Sequence, residues 1–226
     1  RLLYGLPLFY YDAFDQTLKP GIAEYWGEVS PDPKIWILSV KDGIVFQDGS
    51  PLQPEDIQFS INLFKRYTMT NGQSYNPHLD KLNEIRVIGS RHIQIHLQDT
   101  IEKLPLMLAD IPVLSRSYYE GETFEQTVAN VFEKRPLGFG PYQINSYIPE
   151  TSVILERFFN HYNGPAGFPV IQLKLYQSID QIKSDFITGK LDFVQIFDIG
   201  DLREISSADS AFQIISIPSD INTSYT

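Results

Sequence analysis

Pro136-Leu137-Gly138-Phe139-Gly140-Pro141-Tyr142 places two glycines and two prolines around one aromatic in seven residues. Gly138 and Gly140 permit backbone angles closed to other residues, and each proline fixes its own φ, so the stretch reads as a shaped turn. Downstream of it, Val153-Ile154-Leu155 and Ile171-Gln172-Leu173-Lys174-Leu175 read as strands. Ser178 then caps a helix with Gln181 three residues on; Ile179, Ile182 and Phe186 share one face, and Gly189 ends it. Leu191 to Ile196 follows as a strand, which predicts a strand–helix–strand unit with a right-handed crossover.

Upstream of the turn the signals are those of short strands with intervening helices. Ile85-Arg86-Val87-Ile88, Gly89-Ser90 and Ile93-Gln94-Ile95-His96-Leu97 form a hairpin pattern, with Ile93, Ile95 and Leu97 on one side. Trp36 to Val40 is a strand. Asp42-Gly43 and Asp48-Gly49 are turn dipeptides bracketing a short strand at Ile44-Val45-Phe46. A helix begins at Pro54, with Glu55 and Asp56 at its positive end and Ile57, Ile61 and Phe64 at helical spacing. Asn71-Gly72 closes that region, and Leu104 to Leu108 is a short apolar helix. Thr123-Phe124-Glu125-Gln126 is a capping box opening a helix through Val128, Val131 and Phe132. The fold class is α/β in the mixed, α+β sense.

The 226 residues are 42% hydrophobic and 13% aromatic, enough for a packed core. A net charge of −10 with no Lys/Arg cluster repels nucleic-acid phosphates, so no nucleic-acid partner is expected. The absence of cysteine excludes disulfides, thiolate zinc sites and cysteine nucleophiles. No apolar run approaches the roughly 20 residues of a membrane span. Arg1-Leu2-Leu3-Tyr4-Gly5 lacks the zones of a signal peptide. Both ends read as the inside of elements, and the expectation is a piece of a longer protein.

His92 and His96, four residues apart on a strand, lie about 13 Å from each other and do not share an ion. Glu55 and Asp56 are adjacent on a helix and point apart, so they serve the helix end rather than acid–base chemistry. No nucleophile elbow, phosphate loop or His-Glu-x-x-His motif occurs. No catalytic residue, metal site or cofactor is expected. Aromatics are the one abundant group suited to binding, and most of the 13 Tyr and 15 Phe serve the core or its rim.

Val40-Lys41-Asp42-Gly43-Ile44-Val45-Phe46-Gln47-Asp48-Gly49-Ser50-Pro51-Leu52, followed by Pro54-Glu55-Asp56-Ile57-Gln58-Phe59-Ser60 and later by the glycine turn, resembles the family 5 extracellular solute-binding proteins. Those proteins deliver peptides, nickel and related solutes to ABC importers. Leu3-Tyr4-Gly5-Leu6 with Pro20 to Trp26, Asp80 to Leu97, and Phe186 to Phe193 resemble further family stretches. Leu104 to Leu114 with Tyr118 to Phe124 is similar to the microcin C and oligopeptide-binding subgroup. Ser30-Pro31-Asp32-Pro33, Gln53 and Phe139 depart from the family pattern.

The resemblance implies a type II periplasmic-binding-protein lobe, incomplete here, with a β-rich insertion. Residues 1–20 and 136–226 would belong to the hinge-proximal α/β lobe, and residues 21–135 to the inserted subdomain with helices. It implies a monomer, periplasmic or extracellular and membrane-anchored, that captures a peptide or peptide-like solute between two lobes for an ABC permease. A ligand-sensing domain of a transcription regulator is the alternative. Tyr4, Phe139 and Tyr142 would lie along the ligand cleft, with Gly138 and Gly140 as the hinge turn. Phe139 either lines the cleft or plugs the gap between subdomains.

Overall fold

The computed structural model describes residues 1–12, 14–29, 31–67, 77–122, 126–127, 136–208 and 213–215. Among the described residues there are three antiparallel sheets. Strands β1 (Phe9–Asp12) and β2 (Thr17–Pro20) form a hairpin. Strands β3 (Ala23–Val29), β4 (Asp32–Val40), β5 (Leu82–Ile88) and β6 (His92–Leu97) form a four-stranded sheet in the order β3-β4-β6-β5. Strands β7 (Tyr142–Ile148), β8 (Ser152–Arg157) and β9 (Val170–Lys174) form the third in sequence order.

The predicted hairpin is present, and its alternation sets what it buries. Ile93, Ile95 and Leu97 of β6 face the core, whereas His92, Gln94 and His96 face away from it. Helix α1 (Pro54–Arg66) closes this side, burying Ile57, Ile61, Leu63 and Phe64. Asp56 fixes its start: its carboxylate accepts the Gln53 N–H at 2.7 Å and, from 60 residues away, the Arg116 N–H at 2.7 Å. That second bond ties α1 to the short helix α3 (Arg116–Tyr119), which follows α2 (Leu104–Met107). Burial pushes the Asp56 carboxyl up, against the pull of those two donors.

The upstream apolar cluster takes in Leu8, Ile22, Leu38, Ile61, Leu79, Ile95 and, across the glycine turn, Leu137 and Phe139. A second, smaller cluster consists of Tyr142, Val153 and Leu155, with Leu3, Ile144 and Ile171 against it. Beyond β9, helix α4 (Ile179–Ile187) is capped by Ser178, whose Oγ accepts the Gln181 N–H at 3.3 Å. Helix α5 (Ile199–Ala208) packs on it. Lys183 of α4 is buried among Glu204 (2.6 Å), Asp201 (3.1 Å) and Asp180 (3.1 Å).

Several expectations need correction. Leu191 to Ile196 is not a strand: among the described residues no neighbour pairs with it, and a strand exists only through its ladder. The crossover unit from Ile171 to Ile196 is therefore not formed. Ile44 to Phe46 contributes one bridge, Val45 to Pro51, rather than a hairpin strand. Strands β1, β2, β3 and β7 were not anticipated. In β3 and β7 bulges at Ala23/Tyr25 and Ile144/Ser146 interrupt the two-residue period that reveals a strand. The Asn71-Gly72 turn and the start of the Thr123 capping box lie outside the described residues.

Candidate functional site

The glycine turn sits against the first residues of the chain. Gly140 N–H donates to Leu3 O at 2.9 Å, and Tyr142 N–H to Leu2 O at 3.0 Å. A Cβ on Gly138 would stand 2.2 Å from Leu3 O, and one on Gly140 2.3 Å from Leu2 O. Neither glycine has a left-handed φ, which corrects the sequence-based reason for them. They are required by the close approach of another backbone.

Gln47 completes the junction. Its Nε2 donates to Tyr142 O (2.7 Å), Leu3 O (3.0 Å) and Gly140 O (3.3 Å), and its Oε1 accepts the Gly138 N–H at 3.2 Å. The Gln47 backbone N–H donates to Gly138 O at 2.8 Å. Sequence reasoning missed this residue. Its only signal is its place between Phe46 and the Asp48-Gly49 turn.

Phe139 is fully buried. Its ring meets Phe46 edge-on at 5.8 Å, lies 6.5 Å from Tyr162, and fills the space where Gly5 has no Cβ, 2.4 Å from that position. Gly5 has φ +88°, so glycine is required there twice over. The ring is thus enclosed between packed elements. Tyr142 is also buried, and its hydroxyl donates to Phe168 O at 3.0 Å. Tyr4 is half-buried, with its hydroxyl beside that of Tyr119. Tyr119, another residue not singled out alone, accepts the Leu137 N–H at 2.9 Å and packs edge-on against Tyr118 at 4.8 Å. Desolvation pushes both the Tyr4 and Tyr119 phenols above their ordinary value, so both remain protonated at neutral pH.

The three sequence-chosen aromatics thus converge on one junction, and only Tyr4 reaches its rim. Nearby, the Arg1 guanidinium lies 4.7 Å over the Tyr10 ring and pairs with Asp110 at 3.2 Å. The polar partners are backbone groups and phenols, suited to binding and holding rather than to proton transfer. Two open hollows lie elsewhere. One of about 490 Å³ is lined by Tyr176, Asp180 and Asp185; one of about 250 Å³ is bounded by Asp56, Arg116 and Glu120. Among the described residues no three His, Asp or Glu side chains group as metal ligands, and no helix is long and apolar enough to cross a membrane.

Residues 17–225 match the description "Bacterial extracellular solute-binding proteins, family 5 Middle". The chain is 30% identical over 149 residues to the HTH-type transcriptional regulator SgrR of Salmonella choleraesuis, covering 65% of this chain and 23% of that protein. It is 25% identical over 171 residues to the peptidoglycan-binding protein YepA of Agrobacterium fabrum, covering 73% and 25%. In fold it is similar to the oligopeptide-binding protein AppA of Bacillus subtilis in complex with a nonapeptide. The TM-score is 0.78 at 16% identity, over 92% of this chain and 41% of that one. The chain therefore spans about a quarter of the length of these curated relatives.

Proposed function

This chain belongs to the bacterial extracellular solute-binding proteins of family 5, and from that premise we propose that it forms part of a receptor capturing oligopeptides or peptide-like compounds for an ABC importer. The observation that carries the reading is the family match over residues 17–225, joined to a fold shared with a nonapeptide-bound protein. Tyr4 touches the solute. Phe139 and Tyr142 shape the wall from behind, and Gly138 and Gly140 form the hinge turn. Residues 1–20 and 136–226 belong to the hinge-proximal lobe and 21–135 to the inserted subdomain. The receptor is a monomer in the periplasm, or outside the cell on a membrane anchor.

The downstream region supports a cleft completed by further polypeptide. Phe159 and Phe168, which precede β9, and Phe193 and Phe197, which follow α4, are each exposed, and solvent disfavours bare aromatic rings. The rest of a family-length protein covers these rings. Titration calorimetry of the complete natural polypeptide with tri- to nonapeptide mixtures tests the reading. Saturable binding is expected, with the 226-residue chain alone binding weakly because one wall encloses little of a ligand. Absence of heat with every peptide length overturns it.

A second reading has its own observation. The 30% identity to SgrR favours a ligand-sensing domain of a transcription regulator. Sequencing the flanking gene separates the two: a secretion signal supports transport, a DNA-binding segment supports sensing.

A further inference from the structure

The turn carrying Gln47 is part of the upstream cluster, anchored by Phe46 at 1% exposure. Its side chain ends among backbone atoms of two other segments. The backbone passes between the two apolar clusters at Leu3–Tyr4 and again at Phe139–Tyr142: Leu3 and Tyr142 pack downstream, Tyr4 and Phe139 upstream. At both passages the contact is glycine against bare backbone, as the forbidden Cβ positions at Gly138 and Gly140 record. The glycines themselves bring no side chain to the contact and have most freedom to turn, while the Phe139 ring between them packs against Gly5, Phe46 and Tyr162. The stiffness of the joint comes from that buried ring and from polar ties. Gln47 supplies four of them, using both hydrogens and the oxygen of one amide; three acceptors for two hydrogens mean that one is shared.

We propose that Gln47 is a positioning residue: its side-chain amide pins the two backbone crossings together, holding Tyr4, Phe139 and Tyr142 in one arrangement and fixing the angle between the two packed units. The consequence for solute affinity rests on the solute-binding reading; the pinning itself does not. An unpinned joint samples several angles, and a ligand that fits one of them binds more weakly by the fraction of time that angle is occupied.

Gln47→Met keeps the length and removes all four ties. Gln47→Glu keeps an acceptor for Gly138 N–H and removes the donors, leaving a carboxylate among three carbonyl oxygens. Arg1, Tyr4, Asp48 and Tyr142 are the charged or titratable residues on the segments that meet there. Amide hydrogen exchange is measured in the complete natural polypeptide without ligand. In Gln47→Met, Gly138, Gly140 and Tyr142 are expected to exchange about tenfold faster or more, while amides of β4 and β6 are unchanged. In Gln47→Glu, Gly140 and Tyr142 accelerate and Gly138 stays protected. Unchanged exchange at Gly140 and Tyr142 in both variants overturns the proposal. So does acceleration spread evenly over β4 and β6, or failure of both variants to fold, since each assigns Gln47 to general stability. Calorimetry with the tri- to nonapeptide mixture then reads the consequence: weaker binding by Gln47→Met at an unchanged melting temperature. If no peptide binds the wild type, the capture reading fails while the exchange result still decides the pin.

Discussion

Upstream of the glycine turn, Leu38, Leu79, Ile95 and Phe139 are wholly buried; downstream, Phe168, Phe193 and Phe197 are exposed by 74%, 79% and 89%. The two regions have similar sequence texture and opposite fates. In the first, sheet, helix α1 and the N-terminal segment close around one another. In the second, among the described residues, a three-stranded sheet and two helices with their loops bury little beyond Tyr142, Val153, Leu155, Phe158 and Ile205 and the polar Ser152 and Lys183. Apolar periodicity states what a segment needs to cover, and only the surrounding chain decides whether it is covered.

The sharpest way to break this contrast is at Phe139. Phe139→Ala empties a fully enclosed site and is expected to cost about 3–5 kcal/mol, measured by urea unfolding. A cost below about 1 kcal/mol would make the upstream core as loose as the downstream layer. Next comes Gly138→Ala, whose methyl meets the Leu3 carbonyl. About 1–3 kcal/mol is expected from forced backbone movement, and a neutral result would mean the joint yields freely.

Lys183 sharpens the downstream side. Its pKa is pushed above the ordinary 10.5, first by Glu204, then by Asp180 and Asp201. A raised lysine pKa contributes stability that is complete below the unfolded value and is lost as pH climbs through the folded one. The advantage of wild type over Lys183→Met should therefore hold at about pH 8 and shrink above about pH 10.5. Urea midpoints of both proteins across that range check it, and a constant difference would show that the ammonium's carboxylate partners do not matter. Least of all should Phe193→Ser and Phe197→Ser change the stability of this chain, by no more than about 0.5 kcal/mol. A larger loss would reveal a downstream core hidden from the static picture.

The sequence discloses elements whose partners lie close along the chain. The β5–β6 hairpin, α1 with its acidic first turn, and α4 with its Ser178 cap were legible because each signal is local. Leu191 to Ile196 has an equally clear strand pattern, yet no ladder neighbour is present to receive it. Strands β3 and β7 hid behind bulges. At the site, Pro136 to Tyr142 announced a special turn, but the cause of its glycines is the distant Leu2–Tyr4 backbone. Gln47 had only its place before the Asp48-Gly49 turn to mark it and Tyr119 less, because a glutamine or tyrosine that satisfies remote backbone looks like any other until that backbone arrives.

Residues 2–8 and the turn that receives them stand far apart in the order of synthesis. Leu2 and Leu3 leave the ribosome well before Tyr142 and Gly140, which bond them from about 140 residues further along. At roughly 5–20 residues per second the interval is on the order of ten seconds. Throughout it Leu3 and Tyr4 lack the glycine turn they pack against. A nascent chain stalled before Gly138 would therefore leave residues 2–4 open to chaperones and proteases, and their protection should track the appearance of the glycine turn.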